Sequence, residues 1–489
     1  MNTGDFKILM LNPPFLPKFS RASRSPAVTK GATIYYPLWL AYATGVLEKA
    51  GFNVMLIDAP ARGHDLHKVK KMTEKFKPDL IVLDTSTPSI YSDIDVLKEL
   101  KKIMPEAFGV LVGTHVSALA EENLKLSRKI NAVARHEYDF ILRDLAKELC
   151  NAKPDLSKVK GLTYWLKGKV KSNKDMPFIQ DLDELPFVSE VYKKHLNIYD
   201  YFYAANLYPE ITILTGRGCP NRCVFCTLPQ TLTGHGYRFR SVENVLKELE
   251  FIKREFPGVK EIFIEDDTLT ANIPRIRKLC SEMIERKLNI TWSANARADV
   301  DLETLKLMKK AGCRLLCVGI ESGNQQILNN IKKGTTLQGI REFFKATKKA
   351  GILVHGCFML GNIGETAETL KETIDFAKEL DPDTAQFFPI MVYPGTEAYE
   401  YFKTHGYLLT EAFDEWLDRE GQHKTIVSRP GLSAEELVAW CDEARRQFYL
   451  RPKYVASKAL QALTQPREMK RILKSGKTFY KHILMKPKK

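Results

Sequence analysis

The sequence predicts an α/β protein in two parts: an N-terminal doubly wound parallel sheet, then a partial (β/α)6 barrel, with a helical C-terminal region behind them. Three observations predict it. Short apolar runs alternate with amphipathic ones through residues 1–150, the rhythm breaks over 151–204, and six further strand candidates follow from Ile211. The 489 residues are about three times a typical domain, so more than one folded unit is expected.

In the first part, 7–11, 54–57, 80–83, 110–112 and 132–134 read as buried strands bounded by Pro, Asp, Gly or Asn. Helical patterns lie between and after them, near 39–50, 64–76, 90–103, 117–127 and 138–150. Parallel neighbours need crossovers, and the helices then cover both faces. A ligand of such a sheet lies beyond the C-terminal strand ends. Those ends carry Asn12, Thr85 and Ser86, Gly113 and His115, and Glu137, groups small and polar enough to line a broad, flat cofactor. Residues 151–204 read as a connector containing a hairpin (LTYWLKGKVKSN) and an acidic turn (DLDELPF).

The second part spans 205–405, with strand candidates at 211–216, 260–265, 289–294, 314–320, 352–359 and 384–391. After the first comes a helix with Val242, Val245, Leu246, Leu249 and Ile252 on one face and Ser241 placed to cap it. Six such units suit a barrel or partial barrel, whose active residues sit on the loops after the strands. From 406 to 489 the pattern reads as helical.

With 44% hydrophobic and 10% aromatic residues the chain can bury real cores, which excludes a disordered or collagen-like protein. The longest apolar stretches reach about half the length of a bilayer span, and the N-terminus has no export pattern. Nine Cys form no disulfide framework and leave at least one thiol unpaired, so a reducing, cytoplasmic setting is expected. The net charge of +15 is concentrated at the end: from Arg451 to Lys489 twelve Lys/Arg face Glu468 alone. A basic tail interleaved with Leu, Ile, Phe and Tyr suits peripheral contact with an anionic membrane face, such as the inner face of a cell membrane, or a solvated helix, and suits nucleic acid less.

The chemistry concentrates directly after the first barrel strand, where Cys219, Cys223 and Cys226 form a C-x3-C-x2-C triplet flanked by Gly216 and Gly218. Three thiolates on one loop hold three corners of a cubane cluster and leave one iron open to an outside ligand. Structural zinc is the alternative; it needs a fourth ligand, and the nearest histidine, His235, lies nine residues past Cys226.

This triplet, on the loop after the first strand of a six-unit barrel, resembles the radical S-adenosylmethionine (SAM) superfamily. The resemblance implies a 4Fe-4S cluster whose open iron is chelated by SAM, which one electron cleaves to methionine and a 5'-deoxyadenosyl radical. It implies SAM contacts at Phe225, at Glu265, Asp266 and Asp267 after the second strand, at Asn295 and Arg297 after the third, and at Glu321 and Ser322 after the fourth. The turn Gly361-Asn362-Ile363-Gly364 is similar to the superfamily's glycine-rich turn beside the adenine, with Ile363 where Pro is common, so Gly361 and Gly364 join the expected contacts. The N-terminal sheet is similar to the cobalamin-binding domain of the B12-dependent branch. Asp65-Leu66-His67 looks like the start of the cobalt-histidine motif D-x-H-x-x-G, but Lys70 stands in place of its Gly and the segment follows the second strand, so His67 reads as a surface helix residue.

The segments ILTGRGCPNRCVFC, PQTLTGHGYRFRS, VGIESGNQQILNNIKKG, YPGTEAY and FYLRPKYVASKAL most resemble the hopanoid-biosynthesis radical SAM subfamily. That resemblance implies an enzyme remodelling a lipid-linked sugar or polyol, here ring contraction of the hopanoid head group to a cyclitol ether, served by a flavodoxin- or ferredoxin-type donor. Two readings stand beside it: a radical SAM C-methyltransferase acting on an unactivated carbon of a small-molecule natural product, and a non-catalytic iron–sulfur carrier. An RNA-modifying methylthio-type enzyme fits less, because no C-terminal RNA-binding barrel and no second cysteine cluster are evident. Cys150, Cys280, Cys313, Cys317 and Cys441 read as core thiols, and Cys357 is the candidate radical quencher or hydrogen donor.

Overall fold

The computed structural model describes residues 2–22, 24–29, 31–464 and 466–479. Five parallel strands open the chain: β1 (Lys7–Asn12), β2 (Asn53–Asp58), β3 (Leu80–Asp84), β4 (Phe108–Val112) and β5 (Ala132–Ala134). Their residues are buried almost throughout, as strands covered by helices on both faces must be. The hairpin expected in 151–204 forms as β6 (Leu162–Leu166) and β7 (Lys169–Ser172) and continues the same sheet antiparallel to β5, giving the order β2-β1-β3-β4-β5-β6-β7.

The second sheet is a six-stranded half-barrel. After β8 (Glu210–Ile213) the chain breaks at Leu214 and Thr215 and re-enters a two-residue strand, β9 (Gly216–Arg217), which pairs with β10 (Arg238–Phe239). This ribbon was not expected. It brackets the cysteine loop, so the single strand read at 211–216 is two short ones. Then follow β11 (Glu261–Ile264), β12 (Trp292–Ala296), β13 (Cys313–Glu321), β14 (Leu353–Leu360) and β15 (Thr384–Pro389), all parallel, in the order β15-β14-β13-β12-β11-β8. The helix Val242–Glu255 buries the expected face, and the Ser241 hydroxyl accepts from the Asn244 amide at 3.1 Å.

Residues 406–432 depart from the expected helical pattern. They hold Gly406, Gly421, Pro430 and Gly431, carry no 3.6-residue apolar period, and form a strap with isolated bridges Leu408↔Val427, Leu417↔His423 and Arg429↔Leu432. Helices follow at Ala434–Tyr449, Pro452–Thr464 and Pro466–Phe479. The strap runs across the strand ends of both sheets. Phe413 packs edge-on to His115 with ring centroids 4.7 Å apart, Trp416 packs on Tyr393 at 5.6 Å, and the Val28 amide donates to the Gly421 carbonyl at 2.7 Å.

Candidate functional site

One cavity of about 2500 Å³ collects most of the polar groups at the C-terminal strand ends of the half-barrel. The ribbon β9–β10 holds the base of the cysteine loop, and Gly218, at φ +85°, turns the chain where a Cβ would fall 2.2 Å from the Gly236 carbonyl oxygen. Two acids fix the loop from below. Asp267 accepts from the Gly218 amide at 3.0 Å and from the Thr233 hydroxyl at 3.0 Å. Asp139, from the first part of the chain, accepts from both terminal nitrogens of Arg217 at 2.8 and 3.2 Å, with neither side chain exposed to solvent. Gln230 donates to the carbonyls of Cys223, Val224 and Cys226 and closes the loop on itself.

Cys219, Cys223 and Cys226 all face the cavity as free thiols. Among the described residues no three His, Cys, Asp or Glu groups converge on a single ion. His235 instead bonds the Asn221 carbonyl through Nδ1 at 3.0 Å, so the zinc alternative finds no fourth ligand there. Burial pushes the Cys226 thiol up to about 12 and raises Cys223 too, so thiolates at these two positions need a compensating metal charge. A cubane, whose cysteines bind separate irons, asks only that the thiols share one face, and they do.

Of the expected SAM contacts, Phe225, Glu265, Asp267, Asn295, Arg297 and Glu321 line this cavity, as does Cys357. Burial pushes Glu265 up to about 7, with Arg24 and Asn295 pulling the other way. The Arg24 guanidinium stands 3.4 Å from Glu265 and 3.1 Å from Asp267, and the two carboxylates hold its charge on. Glu321 sits at φ +68°, a conformation L side chains rarely adopt, where the register between β13 and β14 shifts. Its carboxylate meets Lys333 Nζ at 2.8 Å, and Arg297 donates to the Lys333 carbonyl at 2.9 Å.

Four expectations are corrected. The Asp266 side chain turns away from the cavity, because alternate residues of an extended segment face opposite sides. It is buried against the Thr215 amide (2.6 Å), the Thr215 hydroxyl (2.7 Å) and the Tyr237 hydroxyl (3.0 Å). Ser322 is buried beside the Thr373 hydroxyl at 3.1 Å. Gly361 backs onto Leu437 and Gly364 onto Asn330, which packs the glycine turn against neighbouring elements outside the cavity. Arg24 and Lys333 were missed. Arg24 lies in a loop without periodicity, and Lys333 reads as one of many surface lysines.

The ends of the first sheet are built differently. Asn12 donates to Asp58 at 2.8 Å and accepts from Arg21; Arg21 meets Asp93 at 2.6 Å with both side chains sealed from solvent. Ser86 lies 2.6 Å from Ser89, and Thr85 donates to the Val112 carbonyl. Glu137 is committed to Arg238 at 2.8 and 2.9 Å and to the Ile179 amide at 2.9 Å. These side chains close the sheet end and leave a smooth rim at which Thr87 and Thr114 reach the cavity. Gly113, at φ +119°, lets the end of β4 pass close to the end of β3, where a Cβ would meet the Thr85 carbonyl at 2.6 Å. His115 bonds Thr87 through Nδ1 at 3.1 Å, while its Nε2 is buried without a partner. Burial lowers its pKa to about 3, which keeps the ring neutral. His67 is exposed on the helix Leu66–Phe76, as read from the sequence.

A rim of small residues fits a flat macrocycle, and the three thiols that line the same cavity fit an iron–sulfur cluster. The chain matches the Radical SAM superfamily over residues 213–377 and the B12 binding domain over 24–145. It is 33% identical over 422 residues to an uncharacterized methyltransferase, PH0819, of Pyrococcus horikoshii, covering 85% of this chain and 88% of that one. It is 29% identical to the anaerobic magnesium-protoporphyrin IX monomethyl ester cyclase of Cereibacter sphaeroides, covering 85% and 67%. In fold it matches the radical SAM methyltransferase TsrM of Kitasatospora setae, with a TM-score of 0.70 at 18% identity over 91% of this chain and 89% of that one. The chain therefore belongs to the cobalamin-dependent branch of the radical SAM superfamily, enzymes that join a B12-binding sheet to a radical SAM half-barrel.

Proposed function

We propose that this enzyme is a C-methyltransferase acting on an unactivated carbon, with the cavity between the two sheets as its reaction chamber. The observation that carries the reading is the meeting of the cysteine loop and the first sheet's strand ends on that one cavity. The relatives named above are methyltransferases and a cyclase, which supports methyl transfer over the expected ring contraction of a hopanoid head group; none of them is a head-group ring contractase. When bound, the cluster and SAM supply the 5'-deoxyadenosyl radical, and cobalamin supplies the methyl group.

In this reading Cys219, Cys223 and Cys226 hold the cluster, and Asp267 fixes their loop through the Gly218 amide. Glu265, with Asn295, receives the cationic amino group of SAM, and Arg24 shares that carboxylate and steadies its charge. Glu321, held by Lys333, offers an oriented carboxylate to the sugar or methionine part of SAM. Thr87 and Thr114 form the floor for cobalamin, with Thr85, Gly113 and His115 buried directly beneath it. Asn12, Ser86 and Glu137 act behind that floor, through Arg21, Asp93 and Arg238. The strap seals the chamber, and excluding water matters because a primary carbon radical abstracts hydrogen from whatever it meets. A flavodoxin- or ferredoxin-type donor completes the reading.

The test is anaerobic reconstitution followed by reduction with SAM labelled in its methyl group. 5'-Deoxyadenosine and label in the product are expected together. The triple variant Cys219→Ala, Cys223→Ala, Cys226→Ala is expected to form neither. Deoxyadenosine without methyl transfer would refute the methyltransferase reading and leave radical generation intact.

A further inference from the structure

The cavity does not end at the barrel's active end. Its lining continues past Cys317 and Cys357 to residues that precede the strands, Leu207 before β8, Lys260 before β11 and Thr291 before β12, which is the opposite end of a parallel sheet. There it is walled by the last two described helices through Val455, Ala459, Ala462 and Leu473. These helices pack on one another and are fastened to the half-barrel. Glu468, 4% exposed, pairs with Arg314 at 3.0 Å and with Arg471 at 2.7 Å; Arg451 pairs with Asp381 at 2.7 Å, and Tyr454 donates to the Asp383 carbonyl at 2.8 Å.

The outer side of this hairpin is unusual for a surface. Leu460, Leu463 and Met469, which do not line the cavity, are 62, 81 and 41% exposed, and the cavity-wall residues Leu473 and Val455 are exposed as well. Isolated exposed leucines need no explanation, but a cluster at i, i+3 and i, i+4 spacing on two adjacent helices does. The sequence from Arg451 onward has twelve Lys/Arg and one acid, Glu468, which is turned inward onto Arg314 and Arg471; Arg451, Lys453 and Lys458 reach Asp381 and Asp383 of the half-barrel, and the segment supplies no second carboxylate for the rest. Two copies meeting through such a face would oppose like charges, whereas an anionic bilayer complements it. No described helix is long and apolar enough to cross a membrane, so the contact is interfacial.

We propose that residues 452–479 are a bilayer-docking hairpin that opens the lower end of the cavity to the apolar tail of a membrane-borne amphiphile. Docking stands independently of the methyl-transfer reading; the amphiphile as substrate rests on it. Leu460 and Leu463 enter the bilayer surface, and Ala459, Ala462 and Leu473 frame the mouth through which an apolar chain reaches toward Cys317 and Cys357.

The experiment uses the full-length holoenzyme and sedimentation with mixed phosphatidylcholine/phosphatidylglycerol vesicles or pure phosphatidylcholine vesicles. The wild type is expected to sediment with the mixed vesicles and far less with the pure ones. L460E/L463E is expected to lower the mixed-vesicle partition at least about tenfold, while still cleaving SAM, since neither residue lines the cavity. For the mouth, cis-parinaric acid is the probe: its fluorescence gain on binding is expected to fall in Ala462→Trp. Equal sedimentation of wild type and L460E/L463E, equal binding to both vesicle types, or a wild-type dimer that L460E/L463E converts to monomer without vesicle binding would overturn the docking. An unchanged parinaric signal in Ala462→Trp would overturn the mouth. Loss of methyl transfer in a wild type that still binds vesicles would refute the methyltransferase reading and leave the docking in place.

Discussion

The two sheets end in opposite ways at the same cavity. At the first, Asn12, Arg21, Ser86, Ser89 and Asp93 spend their hydrogen bonds on one another, and the surface offered to the cavity is that of Thr87 and Thr114. At the half-barrel, Glu265, Asp267, Arg24, Glu321 and Lys333 stand in the cavity with charge to share. A large neutral macrocycle is held by shape and backbone, so its floor is best kept saturated. A small nucleoside of mixed charge is held by charge, so its pocket keeps ionised groups facing the ligand, paired meanwhile with one another.

The largest effect that would sharpen this contrast is on stability. Burial already raises the Asp93 carboxyl and Arg21 is the cation that opposes it, so Arg21→Ala leaves a sealed acid without its partner and is expected to cost about 3–5 kcal/mol, read as a lowered unfolding midpoint of the cofactor-free chain. An unchanged midpoint with lost turnover would reverse the contrast. Next, Asp267→Ala removes the acceptor of the Gly218 amide, a loss of about 1–3 kcal/mol; iron retained per chain after gel filtration is expected to fall with the fold intact. Third comes pH. Because burial holds Glu265 up near 7, its carboxylate is ionised above that pH and protonated below it. SAM affinity is therefore expected to weaken as pH falls through 7, by at most about tenfold per unit, and Glu265→Gln is expected to bind weakly with little pH dependence; equilibrium dialysis measures both. The smallest effect is at Cys357. Burial keeps its thiol neutral, and Cys357→Ser is expected to alter turnover by no more than about twofold. A tenfold loss with unchanged SAM cleavage would make it the hydrogen donor.

What the sequence makes legible follows from locality. Strands such as ILMLN and the helix after Ser241 declare themselves through period and caps, and the cysteine triplet through spacing. Asp266 was misread because a run of three acids does not say which members face inward; the alternation about Thr215 decides it. Arg24 was missed because its partner lies 243 residues away, and Lys333 because nothing beside it in the sequence sets it apart from the other lysines; Glu321 was read as a contact, but its positive φ leaves no mark in composition. The strap escaped for the same reason as Arg24: Phe413 and Trp416 fall in a stretch read as helical, and nothing near them in the sequence says that His115 and Tyr393 stand beside them.

That strap is also the late part of the molecule in time. About 230 residues separate the end of β7 from its start, so at about 5–20 residues per second the first sheet is complete roughly ten to fifty seconds before its cover leaves the ribosome. A bulky corrin can settle on an open platform during that interval, and the emerging polypeptide then closes over it. Cells starved of the vitamin during synthesis would accumulate chains already shut, slower to load afterwards than chains born in its presence.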